Sequence, residues 1–239
     1  MIVVGHRGSS SVAPENTLAS IEEAIRAGAT GIEIDVQLTA DRVPVIIHDD
    51  DLDRTTSGTG PVAAVSAQAL GALDAGAWFG SGFVGERVPS LDEVLDLLLL
   101  RVGVQLLLEI KGAWDPEGIR LVTDAIEGRA LGDRVVPQSF SVTTVAALRT
   151  VAPGLRRGLI VPEAEGALDR CRDLGATACN PHGRVLAEHP EFVAQAHAAG
   201  ITVTPWTLNE PEHWARARDL EVDGITTDRP AELVRWLAA

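Results

Sequence analysis

Residues 31–50, GIEIDVQLTADRVPVIIHDD, hold two strand-like runs and several ionisable side chains in one short span. In the first run Glu33 and Asp35 stand two apart, so in an extended strand both carboxylates leave from the same face. The second run, 44–48, ends on His48. Only residues 39–43 separate the two runs, too few for the dozen or so that a parallel crossover requires. The second run must therefore return antiparallel, as a hairpin. A strand that ends in carboxylates and then turns back would carry His48 near Glu33 and Asp35, which is a metal site beside a base in outline.

Outward from this hairpin, apolar strand-like runs alternate with helix-period segments along the whole chain, the rhythm of βα units on a parallel sheet. Strands are expected at 2–5, 31–36, 104–110, 135–140, 158–161, 177–180, 201–207 and 224–227. The first helix has Leu18, Ile21 and Ile25 on one face and Gly28 at its end. Further helices are expected at 91–100 behind a Ser90/Glu93 capping box, from Asp115 and Pro116, at 142–151, 164–174 and 190–199, behind an Asn209/Glu212 capping box, and from Pro230. Eight units in 239 residues predict a (β/α)₈ (TIM) barrel, α/β in class, with the run 44–48 outside the eight staves. An open doubly wound sheet is the weaker alternative, because His6-Arg7-Gly8 follows the first strand where a Gly-rich dinucleotide turn would stand. Residues 51–90 fit neither period and are taken as a small insertion in a single domain spanning 1–239.

A hydrophobic content of 46% is ample for such a core. No apolar run is long enough to span a bilayer, and the N-terminus lacks the pattern of a secretory signal. Cys171 and Cys179 are expected to be small buried residues of a reduced, cytoplasmic protein. A net charge of −14 argues against nucleic acid and anionic membrane as partners, so any anionic substrate must be held by local cations. Lys111 is the only lysine.

In a barrel of this kind chemistry sits at the C-terminal strand ends. Those ends carry His6 and Arg7, Glu33 and Asp35, His48 on the return run, Glu109 and Lys111, Gln138 and Phe140, Asn180, Trp206, Thr227 and Asp228. Taken singly, each suits a structural role; two histidines, three carboxylates and two cations on one mouth suit a site better. Glu33, Asp35 and Glu109 form an all-oxygen set without cysteine, the preference of Mg²⁺ or Ca²⁺. Paired only with Arg7 and Lys111, three carboxylates would leave net repulsion, and one divalent cation balances them better. Arg7 as a fork and Lys111 as a point charge match the oxygens of a phosphate. His6 and His48 can take and give protons near neutral pH. His182, His189, His197 and His213 fall on loops or helices and are expected at the surface.

Several motifs resemble the glycerophosphodiester phosphodiesterase family, in order and over nearly the whole chain: HRGSSSVAPENTLAS from His6, EIDVQLTADRVPVIIHDDDLDRTTSGTG from Glu33, LEIKG, QSFS, WTLN and GITTDRP. The resemblance implies a barrel with an insertion after the His-Asp motif, a divalent metal, and hydrolysis of glycerophosphodiesters to glycerol 3-phosphate and an alcohol. It places His6 and His48 as the catalytic pair, Glu33, Asp35 and Glu109 as metal ligands, and Arg7 and Lys111 as phosphate contacts. It assigns Glu15 and Asn16 to holding the first loop, and Phe140 and Trp206 to the mouth. Departures are small: Ser20-Ile21 replaces a common Ala-Phe pair, Leu208 a usual valine, and Asp50-Asp51 a more usual Pro-Thr, which adds negative charge beside the site.

The expected mechanism uses the substrate's glycerol 2-hydroxyl as nucleophile, with one histidine as base and the other as acid, and water then opens the cyclic phosphate. Direct attack by water is the competing route. Two other functions fit the same barrel: a lysophospholipase D-like enzyme, and a non-catalytic phosphodiester-binding protein. Trp78, Phe79 and Phe83 would form a lipid-contacting lip in the first of these; aromatics so placed more often anchor an insertion to its own barrel, and that is the expectation here.

Overall fold

The structure is a computed structural model that describes residues 1–239. Its centre is a curled parallel sheet whose strands run, edge to edge, Ala178–Pro181, Gly158–Val161, Val135–Ser139, Gln105–Ile110, Gly31–Leu38, Ile2–His6 and Gly224–Thr227. The strands are β1 (Ile2–His6), β2 (Gly31–Leu38), β4 (Gln105–Ile110), β5 (Val135–Ser139), β6 (Gly158–Val161), β7 (Ala178–Pro181) and β8 (Gly224–Thr227). A further strand, β3 (Pro44–Ile46), lies off this path and pairs antiparallel with β2 through Val36↔Ile46 and Leu38↔Pro44.

Helices cover the outer face: α1 (Leu18–Arg26), α3 (Leu91–Leu100), α4 (Pro116–Glu127), α5 (Val142–Val151), α6 (Ala167–Leu174), α7 (Arg184–Glu188), α8 (Phe192–Ala198), α9 (Pro211–Asp219) and α10 (Pro230–Leu237); the one-turn α2 (Ala67–Leu70) lies in the loop after β3. Their apolar faces and the outward side chains of the strands make one core of 46 buried residues. Inside the curl, Val4, Leu107 and Val136 pack together below the strand ends, as a floor for the mouth. Two arginines that precede strands serve the helix ends: Arg134 donates to the carbonyls of Leu98 in the last turn of α3 and of Arg101 just past it, and Arg157 to those of Ala152 and Gly175 at the ends of α5 and α6. Each satisfies acceptors that a helix C-terminus leaves free.

Local chemistry explains the helix boundaries. The Thr17 side chain accepts from Ser20 N at the start of α1, and at its end Gly28, with φ +95°, takes the left-handed turn that favours glycine. Ser90 and Glu93 form a reciprocal capping box on α3, and Asp115 caps α4 with Pro116 at its first turn. Gly166 in the left-handed region delays α6 to Ala167, where the sequence suggested 164. The helix expected at 190–199 is Phe192–Ala198, and the short α7 before it was not anticipated.

Two expectations are corrected. Residues 201–207 are not a regular strand; their pairing is reduced to the isolated parallel bridges Ala178↔Thr202 and His182↔Trp206. Pro205 has no N–H to give, and the Thr204 N–H goes to the Asn180 side chain, so the ladder is interrupted. The stretch still bridges the two edges of the sheet: Cys179 N donates to Thr202 O on one side, and Thr226 N to Pro205 O on the other. The second correction concerns α9, whose N-cap is Glu210 with no side-chain cap bond. Asn209 is not a capping residue because its amide is committed to Thr227 and Asp228.

Residues 49–90 share a small second core with β3 and the residue after it: Val45, Ile47, Leu52, Val62, Leu70, Ala75 and Val88. The alternation of β3 sends Val45 and Ile47 into it and Ile46 into the main core. Trp78 meets Phe79, and Phe79 meets Phe83, edge to face at 5.5 Å. Phe83 also lines a shallow groove with Val12 and Leu18 of the first loop and α1.

Candidate active site

Strand register assembles the mouth. His6 lies beside Glu33 across β1 and β2, Asp35 beside Glu109 across β2 and β4, and Glu109 beside Gln138 across β4 and β5. Register partners in parallel strands share a face, so Glu33, Asp35 and Glu109 each offer an oxygen within 4.8 Å of the others, all three residues buried. Burial, with Asp35 and Glu109 close by, pushes the Glu33 carboxyl well above the usual carboxylate range. Burial raises Glu109 too, and Asp35 adds to it. Asp35 is also buried, yet Arg7, Lys111 and His48 outweigh that and hold it below its ordinary value. Three buried carboxylates sharing two cations are short of positive charge, and an oxygen-only cluster of this spacing suits a divalent cation.

The two cations touch this set directly. Lys111 Nζ lies 2.8 Å from Glu109 and 3.5 Å from Asp35. Arg7 donates Nη1 to Glu15 at 2.8 Å, and its Nε lies 3.3 Å from Asp35 Oδ2. That Nε–Asp35 approach is an ion pair without hydrogen-bond alignment, so Nε is a buried donor with no aligned acceptor. A tetrahedral oxyanion over the triad would supply one. Arg7 also has φ +55° and Asn16 has φ +59°, both in the left-handed region that non-glycine residues rarely occupy. Bonds from Asn16 N and Ser20 Oγ to the Arg7 carbonyl hold this conformation. Gly8 follows with φ +86°, and a Cβ there would lie 2.3 Å from Ser20 Oγ, so glycine is required. Asn16 in turn donates Nδ2 to Asp35 at 2.8 Å and accepts from Asp35 N. The Pro-Glu-Asn loop thus fixes both Arg7 and Asp35.

His6 and His48 both line the same cleft. Each has its Nδ1 on a carboxylate: His6 on Asp228 at 2.6 Å and His48 on Asp49 at 2.7 Å. In both rings Nε2 is left as the nitrogen able to exchange a proton with a ligand. Burial, aided by Arg7 and Lys111, lowers the proton affinity of His48 despite the pull of Asp35. Burial works to raise Asp228, but bonds from His6, Asn209 and Ser10 bring it down to about 2. The far wall is aromatic and amide: Phe140 and Trp206 meet edge to face at 5.3 Å, and Asn180 donates to Gln138 Oε1 at 2.5 Å.

Of the residues singled out from sequence, His6, Arg7, Glu33, His48, Glu109, Lys111, Gln138, Phe140, Asn180 and Trp206 line one cleft, and Asp35 joins them through the carboxylate cluster; Thr227 does not, because its hydroxyl turns to Asn209 and Thr226 lines the cleft instead. Asp228, Asp49 and Gln37 matter equally and were given no role. Asp228 was seen at a strand end but without a partner; the signal was topological, since β1 pairs with β8 at Gly5↔Thr227 and the next residues are His6 and Asp228. Asp49 was visible only as the neighbour of His48. Gln37 donates to the carbonyls of Ile47, His48 and Asp49, fixing the turn after β3. Nothing in its sequence surroundings marked it. Of the remaining histidines, His189 and His197 are exposed and His213 half-buried. His182 is half-buried and meets Trp206 edge to face at 5.0 Å, a rim position more than a surface one.

Buried carboxylates short of positive charge, with two anchored imidazoles and an unsatisfied guanidinium beside them, define a class of barrel hydrolases that act on phosphate esters. Comparison with known proteins narrows this. Residues 6–232 match the profile of the glycerophosphoryl diester phosphodiesterase family. A glycerophosphodiester phosphodiesterase of Caldanaerobacter subterraneus is 34% identical over 239 residues, covering 98% of this chain and 96% of the relative. One of Bacillus altitudinis is 31% identical, covering 98% and 96%. Among solved structures, an Oleispira antarctica phosphodiesterase in complex with the product sn-glycerol-3-phosphate superposes with TM-score 0.93 at 30% identity, covering all of this chain and 97% of that one. A glycerophosphodiester phosphodiesterase of Agrobacterium tumefaciens gives TM-score 0.85 at 31% identity, covering 98% and 99%. The chain therefore belongs to the glycerophosphoryl diester phosphodiesterase family, and it is a hydrolase of phosphoric diesters.

Proposed function

We propose that the protein hydrolyses glycerophosphodiesters, such as glycerophosphocholine or glycerophosphoethanolamine, to glycerol 3-phosphate and an alcohol, and that it needs one divalent cation, Mg²⁺ or Ca²⁺, to do so. The observation that carries this is the pair of carboxylate-anchored imidazoles flanking the buried triad of Glu33, Asp35 and Glu109. Those three residues would hold the cation, which when bound would polarise a phosphoryl oxygen and offset the triad's charge. Arg7, through its unmatched Nε, and Lys111 bind the remaining phosphate oxygens. One of His6 and His48 removes the proton of the glycerol 2-hydroxyl, whose oxygen bonds to phosphorus as the P–O bond to the alcohol breaks; the other gives the departing alcohol oxygen its proton, and water then opens the cyclic phosphate to glycerol 3-phosphate. Asp228 and Asp49 keep the imidazoles in the tautomer and orientation this demands. Phe140 and Trp206 face the substrate's carbon skeleton, and Glu15, Asn16 and Gln138 support the site.

On this reading 1–239 is one domain in which the stretch 201–207 serves as the remaining stave of a (β/α)₈ barrel and 51–90 is an insertion. No helix is long and apolar enough to cross a membrane; the two free cysteines support a cytoplasmic setting. The deciding experiment is release of glycerol 3-phosphate from a panel of glycerophosphodiesters with added Mg²⁺ or Ca²⁺ and with EDTA. No release from any head group with either metal would end this proposal. A substrate without the 2-hydroxyl that reacted at an unchanged rate would replace the cyclic route with direct attack by water.

A further inference from the structure

The two imidazoles are anchored by different means. Asp228, behind His6, is held by the neutral donors Ser10 Oγ and Asn209 Nδ2, both from the barrel's own loops. Asp49, behind His48, is held by a cation from the loop after β3: Arg54 Nε lies 2.6 Å from Oδ2, and Nη2 lies 2.9 Å from Oδ1. The other side of the same guanidinium binds Glu15, with Nη1 2.7 Å from Oε2 and Nη2 2.9 Å from Oε1. Glu15 is the carboxylate that receives Arg7 Nη1. One planar group thus forks two carboxylates at once, and each of those fixes a different side chain of the cleft.

The backbone that presents Arg54 is itself pinned. Leu52 is almost fully buried in the small second core, Leu52 N donates to Gly60 O, and both Thr56 N and Thr56 Oγ1 bond Leu52 O. Arg54 sits within this closed turn. The second core therefore has a use beyond covering β3: it holds in place the turn that delivers the guanidinium.

We propose that Arg54 is a positioning residue for the phosphodiesterase reaction, a clamp through which the 49–90 segment sets His48, by way of Asp49, and Arg7, by way of Glu15, in a single frame. This rests on the reading of His48 as catalytic. An exposed ion pair by itself adds little to stability. The consequence of losing this one is angular freedom in two groups that must act on the same phosphate, which costs rate and leaves the fold intact.

The test uses the metal-loaded enzyme turning over glycerophosphocholine. Arg54→Ala should lower kcat by roughly 10- to 100-fold, the usual penalty for a lost supporting partner, while the rise in Tm caused by divalent cation persists because the triad is intact. Millimolar guanidinium should recover part of that loss. Arg54→Lys should fall between parent and Arg54→Ala, since an ammonium cannot fork two carboxylates. In an Asp49→Asn background, Arg54→Ala should cost much less than it does alone, the non-additivity of groups that act as a unit. The proposal is overturned if Arg54→Ala keeps parental kcat, if its effect multiplies fully with that of Asp49→Asn, or if the loss tracks a fall in Tm that guanidinium does not relieve. His48→Ala separates the two levels. If it is inactive while Arg54→Ala matches the parent, the clamp alone fails; if it stays active, the catalytic reading fails and takes the clamp with it.

Discussion

At the scale of single residues, the site is a problem of charge. Glu33, Asp35 and Glu109 repel one another in a buried setting, and Glu33 is the most perturbed, for burial and for both neighbours. Glu33→Gln removes one of the three charges, so in EDTA it should melt above the parent, while the Tm rise that Mg²⁺ or Ca²⁺ gives the parent is lost. A bound ion at 100 times its Kd contributes about 2.7 kcal/mol, enough to be read by thermal shift. A parent-like Tm response to metal in Glu33→Gln would remove that residue from the ligand set. Asp228 allows a pH test with a definite sign. Its folded carboxyl, near 2, lies below the ordinary carboxylate value, so its contribution is present above about pH 4 and disappears as pH falls through 2. After discounting for its partial exposure this amounts to about 1 kcal/mol. Asp228→Asn should therefore flatten the parent's loss of stability between pH 4 and 2, as followed by Tm; an unchanged slope would mean that the carboxylate carries no such linkage.

At the scale of elements, the sequence was legible wherever one residue's local chemistry decides a boundary. The Ser90/Glu93 box, the Asp115-Pro116 start and the hairpin 31–50 follow from side chains acting on their own backbone. The triad was legible for the same reason, because period two puts Glu33 with Asp35 and Glu109 with Lys111. What stayed hidden depends on partners far along the chain. The stretch 201–207 has the composition of a strand, but an amide from Asn180 and the missing N–H of Pro205 break its ladder. Asn209 has the look of a cap, yet Asp228, beside it only because the preceding stretch runs along β8 (Thr226 N to Pro205 O, Leu208 N to Thr226 O), claims its side chain. These two apparent caps make opposite predictions. Ser90→Ala should lower stability by about 1 kcal/mol, the usual value of an N-cap, with kcat unchanged. Asn209→Ala should leave α9 in place but release Asp228 and the ring of His6, lowering kcat roughly tenfold. Circular dichroism melts and steady-state rates on both variants decide it, and a helix-specific loss in Asn209→Ala with normal kcat would restore the capping role.

At the scale of the whole molecule, a chain of net charge −14 must admit a substrate whose phosphate is itself negative. Locally, Arg7, Lys111 and any cation held by the triad would attract it; from a distance the net charge of the protein would repel it. Screening separates the two, because the Debye length falls to about 10 Å at 0.1 M salt while contacts inside the cleft lie within a few ångströms. Capture of a diester with net charge −1, such as glycerophosphoglycerol, should be faster as salt rises from low ionic strength toward about 0.1 M. Zwitterionic glycerophosphocholine carries a positive head group that offsets its phosphate, so its kcat/KM should change little or fall. The exposed Asp50 and Asp51, next to the Asp49 that anchors His48, sharpen the difference by placing two more negative charges near the mouth. Measuring kcat/KM for both substrates across a salt series at saturating divalent ion gives the ratio directly. If the anionic substrate loses ground to the zwitterion as salt is added, the local cations dominate at long range and the overall charge of the molecule has no part in choosing its substrate.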